Sequence, residues 1–107
     1  MGAGDLTIAR DDRGDLVVLA LHGELDRAGA DKLLADAAGV PLGGELVLDL
    51  AALHRLDPDG LRALTNLDVR SRVERWSLAL AGVQPQVAEV LATAGLDQRI
   101  DLKGRVP

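Results

Sequence analysis

Three apolar runs constrain this 107-residue chain most: residues 16–21 (Leu-Val-Val-Leu-Ala-Leu), 45–50 (Glu-Leu-Val-Leu-Asp-Leu) and 77–81 (Ser-Leu-Ala-Leu-Ala). Each reads as a buried strand, and the Val/Leu pattern of the second is typical of a strand covered on both faces. Between and after them the apolar spacing becomes helical. Ala30, Leu33, Leu34, Ala37 and Ala38 fall at i, i+3, i+4, i+7 and i+8, and Val87, Val90, Leu91 and Ala94 at i, i+3, i+4 and i+7. A further helix over about residues 60–75 carries Leu61, Leu64 and Leu67 on one side, but Asp68, Ser71 and Arg72 interrupt that stripe in its second half. Helices alternating with buried strands give an α/β layer structure with a largely parallel sheet. A leading segment at residues 6–8, closed by the turn-forming residues 11–15, is expected to pair antiparallel with the first run. Residues 96–102 are expected to add an edge strand, so the order is β-β-α-β-α-β-α-(β).

The element ends carry their own signals. Asp26 stands where a helix N-cap accepts a backbone N–H, and Gly39 where that helix stops. Pro58 and Gly60 mark a sharp turn before the second helix, with Asp59 as its expected N-cap. Pro85 suits N1 of the third helix, and Gly95 its C′ position with Leu96 packing back. Trp76, at the exit of the second helix, reads as a packing residue.

Composition narrows the function. Twelve Lys+Arg against 17 Asp+Glu leave a formal charge of −5, and 48% hydrophobic with 27% charged residues is the balance of a globular chain able to bury a core. The length suits one domain over residues 1–107, with residues 1–5 flexible. Trp76 is the only aromatic residue, so base-stacking platforms cannot be built, and the acidic balance opposes phosphate-backbone binding; no nucleic-acid partner is expected. With no Cys, disulfides, thiolate metal sites and cysteine nucleophiles fall away. No apolar run approaches a membrane span and the N-terminus lacks a signal pattern, so the expectation is a cytoplasmic protein without direct membrane insertion.

The stretch from residue 48 to residue 61 runs from a buried strand through the acidic turn Asp57-Pro58-Asp59-Gly60 into a helix, the kind of strand end where α/β sheets place functional loops. Asp57 and Asp59 could attract a hard cation, yet two carboxylates are too few, and there is no phosphate-binding loop nearby. Ser71 and Ser77 sit in no nucleophile elbow, and neither His22 nor His54 is placed to activate them. Both histidines read as partly exposed structural residues. Arg70, Arg72 and Arg75, mixed with Glu74, read most simply as a solvated helix face, the alternative being a dock for an acidic partner patch. No enzyme activity, cofactor or metal is expected.

The ordered motifs nevertheless resemble a known family. Gly23-Glu24-Leu25-Asp26, then Val47-Leu48-Asp49-Leu50 leading to Leu56-Asp57-Pro58-Asp59-Gly60-Leu61, then Leu80-Ala81-Gly82-Val83-Gln84-Pro85-Gln86-Val87 followed by Leu91-Ala92-Thr93-Ala94-Gly95-Leu96, resemble the STAS domain of sulfate transporters and anti-sigma factor antagonists. The motifs span most of residues 16–100. The resemblance implies a mixed, largely parallel sheet with helices packed on one side. It also marks the C-terminus as a departure, since residues 101–107 leave only a short tail in place of a full last helix.

In the free-standing members that this chain resembles in length, the family's role is protein binding: the antagonist captures an anti-sigma factor kinase and is switched by phosphorylation. The resemblance makes Asp59 the equivalent of the phosphorylated Ser or Thr, with Asp57 matching the leading Asp and Gly60 the Gly of that turn. It implies a partner surface of Asp26, Asp57, Pro58, Asp59, Gly60, Leu61 and Arg62, with an anti-sigma factor kinase or other regulatory protein as partner and a monomer or weak homodimer as the expected state. A carboxylate cannot accept phosphate from an ordinary serine/threonine kinase. Asp59, with a charge of about −1 against about −1.5 to −2 for a phosphoserine, therefore either mimics the phosphorylated, non-binding state or permits permanent binding. The alternative role is a structural or regulatory subunit of a signalling scaffold or transporter complex.

Overall fold

The computed structural model describes residues 6–107, so the expected flexibility of residues 1–5 lies outside the described residues. The elements are β1 (Thr7–Arg13), β2 (Leu16–Leu25), α1 (Arg27–Asp36), β3 (Glu45–Leu56), α2 (Pro58–Glu74), β4 (Ser77–Ala81), α3 (Pro85–Thr93), a 3₁₀ turn at Leu96–Gln98 and β5 (Asp101–Lys103). The strands form one sheet in the order β1-β2-β3-β4-β5. β1 runs antiparallel to β2, and every later pair is parallel. Each parallel step moves one strand further in the same direction through a helical crossover. Right-handed crossovers of that kind put all the helices on one face.

Alternation along the strands shows which face that is. Leu19, Leu21, Leu46, Leu48, Leu50 and Leu80 are fully buried in one cluster with Leu33 of α1, Leu64 and Leu67 of α2 and Leu91 of α3. The intervening residues Val18, Val47, Ala79 and Ala81 point to the other face, where a second cluster is covered by Leu16 and Val106. After β5 the chain crosses beneath the sheet, and the Arg13 guanidinium donates to the Pro107 carbonyl at 3.0 Å. Trp76 is 5% exposed and its indole N–H donates to Glu74 at 3.0 Å, as suits a packing residue at a helix exit.

Several elements extend beyond their sequence signals. β1 continues through its charged residues to Arg13 because an edge strand exposes them harmlessly. Arg10 pairs with Asp12 at 3.0 Å and Arg13 with Asp11 at 2.7 Å, while Arg10 also donates to the carbonyls of Asp36 and Ala38, each at 2.8 Å, at the end of α1. α1 itself ends at Asp36 with Ala37 as C-cap, and Gly39 takes its positive φ of 85° in the following turn. The edge strand expected over 96–102 is reduced to β5, because residues 96–98 wind into the 3₁₀ turn. β2 and β3 each run past their apolar cores, to Leu25 and Leu56, through register shifts at Ala20/His22 and Gly23/Glu24 that leave both histidines exposed.

The interruption in the α2 stripe has a structural cause. Asp68 and Ser71 are buried, at 3% and 5% exposure. The Asp68 carboxylate accepts from Arg72 Nε and Nη2 at 3.3 Å each and from Arg99 Nε at 3.1 Å, and the Ser71 hydroxyl donates to the Asp68 carbonyl at 2.6 Å. Arg70 donates to the Leu34 carbonyl at 3.1 Å. The arginine run is thus not merely a solvated face: Arg70 ties α2 to α1, and Arg72 shares with Arg99 the carboxylate that ties α2 to the C-terminal segment.

Two stability effects follow. Asp68→Ala removes the shared acceptor of two guanidiniums, and the urea midpoint should fall by the equivalent of about 2 kcal/mol, the scale of hydrogen bonds to charged groups; an unchanged midpoint would mean that the cluster contributes nothing net. Gly60→Ala should cost about 2 kcal/mol or more by overpacking, because a β-carbon there would overlap the Leu25 carbonyl oxygen and crowd the Leu25 and Leu56 side chains. A thermal melt of that variant matching the wild type would contradict this packing.

Candidate functional site

β2 and β3 end side by side, with Leu25 and Leu56 as register partners. Both side chains are buried, and the residue after each begins a helix. Asp26 caps α1 through a carboxylate that accepts from the Gly29 N–H at 2.9 Å; Asp57 caps α2 by accepting from the Gly60 N–H, also at 2.9 Å. The sequence Leu-Asp-x-x-Gly thus occurs twice, at residues 25–29 and 56–60, and makes the same cap twice. In both copies the glycine has a steric role. A β-carbon on Gly29 would press on Leu6, and one on Gly60 on Leu25. The Asp57 N–H donates to the Leu25 carbonyl at 3.3 Å, which fastens the start of α2 to the end of β2.

This arrangement corrects one expectation. Asp57, not Asp59, is the N-cap of α2, and Asp59 lies in the first turn. The shared Asp-to-Gly spacing of three residues is the sequence signal that separates them, since a cap carboxylate reaches the N–H two or three residues on. Asp59 keeps a side chain 43% exposed at the positive end of the helix, with Arg62 Nη1 at 3.7 Å and the Arg62 side chain 82% exposed.

Around Asp59 the surface is mixed. Pro58 and Arg62 are exposed, Asp26, Asp57 and Leu61 are partly exposed, and Gly60 is buried beneath them. Leu61 also lines a concavity of about 230 Å³ with Glu89, Val90, Thr93 and Ala94 of α3 and the turn after it. Its apolar floor adds α3 residues that the sequence did not connect to this surface, because only the topology brings α3 beside α2. On the other side of the corner, Asp26 shares a concavity of about 220 Å³ with Leu6, Ala28, Gly29 and Lys32. Among the described residues no group of three or more His, Cys, Asp or Glu side chains is placed to hold a metal ion. The Asp57 carboxylate is engaged by the helix end. Chemically, the corner offers exposed charge of both signs beside a small apolar recess, features of protein recognition surfaces.

Known structures share this fold. The protein TM1081 of Thermotoga maritima is similar with a TM-score of 0.78 at 18% identity, over 92% of this chain and 87% of that one. The anti-sigma factor antagonist SpoIIAA in its unphosphorylated form gives 0.71 at 19% identity, over 90% and 87%. A Ser-to-Glu variant of RsbS from Moorella thermoacetica gives 0.69 at 28% identity, over 96% and 88%. No curated protein matches the sequence. Among the described residues no helix is long and apolar enough to cross a membrane. The family model described as "Mlab, STAS domain" matches residues 8–104, so the expected fold and family stand and the chain belongs to the Mlab, STAS domain family.

Proposed function

We propose that this chain is a protein-binding regulatory domain of the anti-sigma factor antagonist kind. Its partner is an anti-sigma factor kinase or another regulatory protein, docked on Asp26 and residues 57–62. The observation that carries the reading is the division of labour at the start of α2. Asp57 takes the cap, so among the described residues Asp59 has no structural hydrogen bond to keep, and it presents its carboxylate to a partner. A fixed carboxylate where a switched member of the family would carry a phosphorylatable hydroxyl makes binding constitutive. Its charge is smaller than a phosphate's and suits an Arg or Lys of the partner in a charge-assisted contact. The recess beside Leu61 and Val90 takes an apolar side chain of the same partner.

The division of labour has a stability signature. Asp57→Ala should destabilise the fold by about 1 kcal/mol, the usual value of an N-cap, whereas Asp59→Ala should change stability by no more than about 0.5 kcal/mol, the size of an exposed charge at a helix end. Denaturant titration of both variants checks this, and a larger loss for Asp59→Ala would return that residue to a structural role.

Partner capture tests the function itself. Wild-type protein and its Asp59→Ala and Asp59→Lys variants, used as baits in source-cell lysate and read by mass spectrometry, should differ: wild type retains an ATP-binding anti-sigma kinase or related regulator, and Asp59→Lys loses it by more than about tenfold, or about 1.4 kcal/mol. Capture of the regulator only by the substituted baits would make Asp59 an imitation of the phosphorylated, non-binding state. Recovery of transporter or scaffold subunits instead would favour a structural role within such an assembly.

A further inference from the structure

The helices leave one face of the sheet free, and Val106, in the segment after β5, packs on the apolar centre of that face beside Leu16. Register fixes what the face contains. Val18 pairs with Asp11 and Val47, Val47 with Ala79, and Ala79 with Asp101, so three apolar residues in a row have a carboxylate at each end. One neighbouring row sets Arg13 and Glu45 beside Leu16, and the other sets Asp49 and Lys103 beside Ala20 and Ala81. Carboxylates therefore outnumber cations around an apolar floor. Asp11 pairs with Arg13 at 2.7 Å, Glu45 lies 3.9 Å from Lys103, Asp49 accepts from the Ala51 N–H at 3.1 Å, and Asp101 is exposed.

What covers this floor is held far less firmly than the floor is buried. Val47, Ala79 and Ala81 are 0% exposed. Over them, Val106 is itself only partly buried, and the Pro107 carbonyl accepts from an Arg13 side chain that is 44% exposed. The span also leaves no slack. β5 and β1 are the opposite edges of the sheet, four strand spacings or about 19 Å apart. Residues 104–107 reach about 14 Å when fully extended, and the Arg13 side chain closes the remainder. An extended segment thus lies across the strands, and it matches the face chemically: Lys103 and Arg105 meet the surplus of carboxylates, and Val106 meets the valine and alanine floor. We infer that the helix-free face is a second docking surface, for an extended segment of a partner protein with basic residues beside an apolar one, and that residues 104–107 occupy it in cis as a displaceable strap. A partner segment of the same chemistry with more contacts takes the strap's place. The surface shares no residue with the corner at Asp26 and residues 57–62, so it stands whether or not that corner binds.

NMR of the full chain tests this, with a synthetic peptide of residues 101–107, blocked at both ends, as the probe. Val106→Asp sets a carboxylate among carboxylates and should free the strap: the methyl resonances of Val18, Val47, Ala79 and Ala81 should shift while the circular dichroism stays that of the wild type. Val106→Gly, which removes the apolar anchor without adding charge, should do the same. Millimolar peptide should then return those resonances toward their wild-type positions in either variant. The wild type should bind the peptide at least about tenfold more weakly, because its face is open only when its own strap has left. A peptide with Lys103→Glu and Arg105→Glu should also lose about tenfold in affinity for the variants. Unshifted methyl resonances in both variants, no response to the peptide, a wild type or an acidic peptide that binds equally well, or variants that cover the face by dimerising instead would each overturn the inference.

Discussion

The pairing of β2 with β3 out to Leu25 and Leu56 is the constraint on which the rest of the structure depends. Two parallel strands ending at the same height hand the chain to two helices starting at the same height, and the two caps that follow are necessarily neighbours. Burial of both leucines holds the strand ends together, and the absence of a side chain at Gly60 lets α2 start against the Leu25 carbonyl. The corner where α1 and α2 begin is therefore a product of sheet register. It is not a loop shaped on its own.

That origin explains the unequal roles of the acidic residues. Asp26 and Asp57 spend their carboxylates on helix N–H groups that would otherwise be orphaned. Asp68 spends its carboxylate on two arginines, linking α2 to the segment beyond the 3₁₀ turn and so fixing the far end of the helix. Asp59 remains exposed at the near end, 3.7 Å from Arg62. In a chain carrying 17 acidic residues, position relative to the backbone separates carboxylates that cap or bridge from one left exposed.

Much of this was legible in the sequence, and the misses have physical reasons. The apolar runs gave the inner halves of β2, β3 and β4 and their order, because burial on both faces leaves an unbroken hydrophobic signature. The outer parts of β2 and β3 were not visible. Past Leu21 and Leu50 the strands carry Gly23, His22 and His54 through register shifts, and alternation fails where the pairing shifts. Asp68 breaks the apolar stripe in the second half of α2 by residue type alone, yet paired with Arg72 and Arg99 it belongs to the interior. Asp26 is legible as a cap from its place before a helical stripe. Asp57 and Asp59 both suit an N-cap by residue type, and only the Asp-x-x-Gly spacing shared with Asp26 singles out Asp57; the α3 wall beside Leu61 depends on tertiary adjacency that no local pattern encodes.

If the corner is a preformed docking surface, its backbone must be as rigid as the sheet that builds it. Native-state hydrogen exchange at the amides of Gly29 and Gly60 measures this most directly, since both N–H groups donate to the cap carboxylates. The account predicts that they exchange as slowly as the amides of β3, only when the whole domain opens. Exchange at the rate of an exposed loop, with β3 still protected, would show a corner that forms only when a partner arrives, and would contradict it.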